Sequence, residues 1–159
     1  FLLLMNLART NPVLLQHYLD SKYGKEYSED KAIITLVNMP TFRPIPFLKE
    51  SRGLYACALS HAIISGLTSY EGHRALTFRL LVFLNFNILA NGVYRGENCD
   101  YGNRKAVDAF ISLMNSPGHR ANIMDNHFTR TGIACFPHFE YRYNYVSTFT
   151  GRKLFDKEE

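Results

Sequence analysis

Near its C-terminal end the chain alternates for nine residues, with Tyr141, Tyr143, Tyr145, Ser147 and Phe149 set against Arg142, Asn144, Val146 and Thr148. A period of two is the pattern of a β-strand with two different faces. Such a strand must pair with others, so the chain has to build a sheet. The remaining elements have to cover that sheet. Upstream the period changes. Val107, Phe110, Ile111 and Met114 recur at i, i+3, i+4 and i+7, which predicts a helix with one core-facing stripe. Leu54, Ala58 and Ala62 recur every four residues, which predicts a second helix over 51–65 whose small residues allow close packing.

Helix signals dominate the first half. Phe1–Arg9 reads as a buried helix. Asn11 is a good N-cap, and Pro12 suits the first position of a second helix to about Asp20. Residues 22–47 read as a long connection, because Pro40, Pro44 and Pro46 oppose helix. Leu76–Leu89 reads as an apolar helix stopped at Asn91-Gly92. Strands are expected over Val93–Cys99 and Gly132–Phe136. Asn103 is placed to cap the stripe helix, and Ser116-Pro117 starts a short one. Helices first and interleaved strands later indicate an α+β fold, an antiparallel sheet covered by helices. One domain is expected over 1–150, with a charged tail over 151–159.

Composition narrows the function. The chain has 159 residues, 47% of them hydrophobic and 20% charged, enough for one core without disulfides. A formal net charge of +4 favours anionic surfaces. Lys and Arg are scattered rather than clustered, which argues against a nucleic-acid partner. The apolar run 80–90 is too short to span a bilayer, so no transmembrane segment is expected. The first residue is Phe, as in a processed product. A signal peptide or lipid-attachment cysteine would then lie upstream. Cys57, Cys99 and Cys135 are odd in number, and none has zinc-finger spacing. Free buried thiols are the simplest reading, with a Cys99–Cys135 bridge as the alternative.

Several segments, taken in order, resemble the CAP superfamily: cysteine-rich secretory proteins, antigen 5 and pathogenesis-related proteins. Met5-Asn6-Leu7-Ala8-Arg9 is similar to the family's first helix, and Phe47-Leu48 with Leu54, Ala56 and His61-Ala62 to its second. Gly96-Glu97-Asn98 matches the Gly-Glu-Asn motif. Ser116-Pro117-Gly118-His119-Arg120-Ala121-Asn122-Ile123 matches a signature of bacterial members. The resemblance implies a three-layer α-β-α sandwich, an extracellular or cell-surface location, and a cleft lined by two His and two acids.

Carried onto this sequence, the cleft holds Glu97 and His119. The first family histidine falls on His73, or its place is taken by Tyr70. Asn98 and Ser116 flank these positions. The second acid is missing before Pro117, where Asn115-Ser116 stands, and Asp108 lies more than two turns upstream. A carboxylate and imidazoles can hold a divalent ion such as zinc or position a water. With His73, His119 and Glu97 as the only ligands, weak metal binding is expected and no cofactor is required. A nucleophile elbow is absent. The leading expectation is a binding protein for a lipid, a sterol or an extracellular protein. Phe42, Phe47, Tyr94, Tyr101 and Phe136 are available to line apolar grooves. A metal-assisted hydrolase using His73, Glu97 and His119 is the alternative.

Overall fold

A computed structural model describes residues 1–84 and 93–152. Among these, the elements run α1 (Leu2–Thr10), α2 (Pro12–Tyr23), α3 (Lys25–Ser28), α4 (Lys31–Val37), β1 (Lys49–Glu50), α5 (Arg52–Thr68), α6 (Leu76–Leu84), β2 (Val93–Tyr101), α7 (Ala106–Asn115), α8 (Pro117–Ile123), β3 (Arg130–His138) and β4 (Arg142–Arg152). The sheet order is β1-β3-β4-β2. β4 runs antiparallel to both β2 and β3, and β1 adds a two-residue parallel pairing to β3. β2 is therefore an edge strand.

Three layers form an α-β-α sandwich. α5 lies across β3 and β4 on one face and packs against α6. Between α5 and the sheet sit Ala58, Ala62, Cys99, Ala134 and Val146. The other face carries the larger core, where Leu4, Met5, Leu15, Ile33, Phe110, Met114, Phe128 and Phe149 pack together. α5 can come this close because Gly132 presents no side chain. A Cβ there would lie 1.9 Å from the Tyr55 backbone nitrogen.

The alternation of β4 has a different meaning from the half-buried strand expected. Every residue from Asn144 to Gly151 is buried. Both faces are covered, and the period of two separates one helical layer from the other. Gly151 and Arg152, expected in the charged tail, belong to β4, with Gly151 buried. The rest of that tail lies outside the described residues.

The long connection is corrected as well. Residues 25–37 form α3 and α4. Asp30 caps α4 by accepting from the Ala32 N–H at 2.8 Å, and Ala32, Ile33 and Leu36 bury one face. The prolines act only beyond α4, where Pro40 lies in a turn and the chain then runs without regular structure to β1. Asn103 caps nothing. Its amide donates to both Asp100 carboxylate oxygens, and α7 starts after Lys105 with no side-chain cap. Asn11 does cap α2, accepting from the Leu14 N–H. α6 is described to Leu84, so its expected end at Asn91-Gly92 lies outside the described residues.

The Cys99–Cys135 bridge is excluded. Cys99 pairs with Val146 and Cys135 with Tyr145, two adjacent residues of β4. The two cysteines thus point to opposite faces of the sheet with a strand between them. All three cysteines are free, Cys57 and Cys99 buried and Cys135 exposed.

Candidate functional site: the Glu97 cleft and its groove

β2 carries the sequence Glu97-Asn98-Cys99-Asp100 along the sheet edge. The pleat sends Glu97 and Cys99 toward the α5 layer, the face shared with Thr148 and Val146. Asn98 and Asp100 face the α7 and α8 layer.

On the first face the Glu97 side chain is fully buried. Arg79 of α6 grips it as a fork, with Nη1 to Oε2 at 2.7 Å and Nη2 to Oε1 at 3.0 Å. His73, from the α5–α6 connection, places Nδ1 3.2 Å from Oε1. His61 of α5 lies behind, with Nε2 3.8 Å from the same oxygen. That nitrogen donates to the Gly72 carbonyl at 2.7 Å. The Cys99 Sγ lies 3.7 Å from His73 Nδ1. Burial works to raise the Glu97 pKa, but the hydrogen bonds from His73 and Arg79 and the guanidinium charge outweigh it. The carboxyl is held below its ordinary value, so it is ionised at neutral pH. Burial pushes the Cys99 thiol strongly up and His61 down, leaving both neutral.

On the second face Asn98 donates to the His119 carbonyl at 2.9 Å, and Asn122 donates to Asn98 Oδ1 at 2.8 Å. These bonds rivet α8 to the sheet edge. The half-buried His119 has a lowered pKa, first through desolvation and then through the His73 charge, with Asp100 opposing. Burial raises Asp100, against hydrogen bonds from Ser112 and Asn103.

His73 therefore reaches Glu97, while no hydrogen bond joins His119 to it. Tyr70 does not take the histidine's place at the carboxylate. Its ring meets His61 edge-on and lies under the Arg74 guanidinium. Ser116 stands at the α7–α8 junction, where its carbonyl accepts from the Arg120 N–H. Asp108 accepts from the Tyr27 hydroxyl at 2.6 Å, away from the cleft.

The sequence profile of the cysteine-rich secretory protein family, CAP, matches residues 49–149. The chain belongs to the CAP family. Its fold resembles an extracellular protein containing a SCP domain from Bacillus anthracis, with TM-score 0.56 and 24% identity, covering 69% of this chain and 35% of that one. It also resembles an outer surface protein of Borrelia burgdorferi, with TM-score 0.53 and 16% identity, covering 80% of this chain and 90% of that one. The chain thus spans about a third of the Bacillus protein. No sequence among curated proteins matches it significantly.

This CAP domain has a second feature beside the Glu97 cluster. A cavity of about 720 Å³ opens between α5 and α6, lined by Ile64, Phe78, Val82 and Phe83 with Arg74 and Tyr70 at its rim. His61 and Arg79 also line it, so the groove shares these two side chains with the Glu97 cluster. None of the aromatics expected from sequence lines this groove. Phe42 and Tyr94 pack against the larger core, Tyr101 and Phe136 against the smaller one, and Phe47 is exposed.

His61, Arg79 and Asp100 were not legible as site residues. Arg79 did carry a signal, as the single charge within the apolar helix Leu76–Leu84. An unpaired charge cannot be buried cheaply, so such a residue points to a buried anion. His61, Glu97 and Cys99 each bring one ligand-type atom within 4.8 Å of the others, a spacing at which an ion could be shared.

Proposed function

We propose that residues 1–150 form a secreted or cell-surface CAP binding domain that takes a lipid or sterol in the α5–α6 groove. The observation that carries this reading is the groove itself. Its volume, about 720 Å³, falls in the range of small-ligand sites. Phe78 is 66% exposed and Val82 55%, an apolar surface that a ligand would remove from water. Arg74, Tyr70, Ser69 and Thr68 supply a polar rim for a headgroup or hydroxyl. The extracellular and outer-surface character of the two similar proteins supports the location. Attachment through a lipid upstream of residue 1 fits the same setting. No described helix is long and apolar enough to cross a membrane.

The hydrolase reading finds no observation in its favour. It needs Glu97 free to serve a metal or a water, and Arg79 holds both of its oxygens. Titration with fluorescent fatty acid, phospholipid and sterol probes tests the proposal. Saturable binding to one class is expected. Val82→Asp should weaken it at least ten-fold, because a carboxylate placed in the groove wall repels apolar surface. A flat response to all three classes would remove the lipid reading and leave a protein partner.

A further inference from the structure

We infer that Arg79 is the resident cation of the Glu97 cleft and leaves a divalent metal no place on this carboxylate. An ionised carboxylate offers about four lone-pair directions. Arg79 Nη1 and Nη2 take two, His73 Nδ1 a third at 3.2 Å, and Thr148 Oγ1 approaches the fourth at 3.5 Å. The guanidinium is also held from behind. Its Nη2 donates to the Arg74 carbonyl at 3.1 Å and its Nη1 to the Cys57 carbonyl at 3.3 Å. It cannot swing aside without giving up these bonds too. The two other ligand-type groups are committed as well. The His61 Nε2 proton points at the Gly72 carbonyl, so that nitrogen has no lone pair to offer. The Cys99 thiol is buried 3.7 Å from the same carbonyl and would have to lose its proton.

Zinc binds a thiolate, a neutral imidazole nitrogen lone pair and a carboxylate. In the His61, Glu97 and Cys99 cluster each group is occupied by a proton or by Arg79, and His73 is left as a single imidazole with Nδ1 already turned to the carboxylate. The arginine brings the positive charge that an ion would bring, and it is covalently attached. The cleft then works as a bracket. It fastens α6 and the α5–α6 connection to the edge strand, and so fixes the groove wall that Arg79 and His61 line.

Zinc chloride titrated into the intact domain by calorimetry tests this, with thermal unfolding as a second readout. The wild type should show no saturable binding that His73→Ala alters, and zinc should not raise its Tm. Zinc bound at surface histidines other than the half-exposed His73 would be unaffected by that substitution, which agrees with the inference. Arg79→Met removes the cation and leaves Glu97 uncompensated. That variant should bind zinc at least ten-fold more tightly than wild type and gain Tm from it. Stoichiometric zinc binding to the wild type that His73→Ala abolishes would overturn the inference. So would a folded Arg79→Met domain with unchanged zinc affinity. Should Arg79→Met fail to fold, the wild-type and His73→Ala pair decides alone.

Discussion

Replacing Arg9 by Met should cost about 3–5 kcal/mol of stability. Arg9 is completely buried in α1, and no carboxylate among the described residues pairs with it. Its guanidinium donates instead to four backbone carbonyls: Pro46 at 2.8 Å, Ile123 at 2.6 Å, Asp125 at 3.0 Å and Phe128 at 2.7 Å. These belong to the run into β1 and to the end of α8 with the turn after it, so one side chain ties α1 to two distant segments. A charged hydrogen bond contributes about 1.5–3 kcal/mol net, giving roughly 6–12 for four. Against this stands the cost of desolvating the ion, several kcal/mol. Burial lowers the Arg9 pKa to about 10, partly opposed by the Asp125 charge, so the group is strained but still charged at neutral pH. Methionine relieves the desolvation and fills most of the stem volume, yet leaves the carbonyls short of partners. The difference gives the 3–5 kcal/mol, or a fall in Tm of roughly 6–20 °C for a domain of this size. Urea and thermal unfolding followed by circular dichroism measure it. Arg9→Lys should recover only part, because a compact ammonium cannot reach four separated oxygens. A Met variant within about 1 kcal/mol of wild type would refute the reasoning, and a Lys variant equal to wild type would refute its geometric half.

Gly132→Ala should cost about 3 kcal/mol or more in urea unfolding, because its Cβ would meet the Tyr55 and Leu54 backbone, which can yield only if α5 lifts from the sheet. His61 is buried with its pKa lowered by desolvation, so the unfolded chain takes up a proton that the folded one refuses. Stability from this residue is complete above about pH 6.5 and declines as the pH falls below it; the urea midpoint should drop between pH 7.5 and 5, and less so in His61→Gln. Thiol labelling of the native domain should modify Cys135 alone, with Cys57 and Cys99 reacting only on unfolding.

The fold was largely legible because its signals are local. Asn11-Pro12, the stripe from Val107 to Met114 and the alternation ending at Phe149 each encode their element within one short window. α3 and α4 were not legible, since each spans fewer than two full turns and the prolines downstream of them dominate the local reading. Burial of both β4 faces was hidden for another reason. Asn144, Ser147, Thr148 and Thr150 are buried polar residues, and only the tertiary partners reveal it: Asn144 donates to the Ala62 carbonyl, and Thr148 faces Glu97.

The site was legible as a motif but not as a shape, and the pleat explains the gap. Glu97 and Asn98 are neighbours in sequence and read as one unit. In a strand they must point to opposite faces, so one motif serves two layers. Glu97 collects Arg79, His73 and His61 from the α5–α6 side, while Asn98 ties down His119 and Asn122 from α8. The expectation that Glu97 and His119 work on one ligand follows from the motif order; in the structure the groups at the Glu97 carboxylate are Arg79 and His73, and Asn98 holds the His119 backbone carbonyl. Asn98→Asp separates the two roles. It should loosen α8, through a negative charge buried beside the Asn122 side chain and the His119 carbonyl, by about 2–4 kcal/mol. Lipid-probe affinity at the α5–α6 groove should stay within about two-fold, because distant sites act almost independently. An Asn98→Asp domain that stays folded but loses the probe would show that the two faces of β2 form a single site after all.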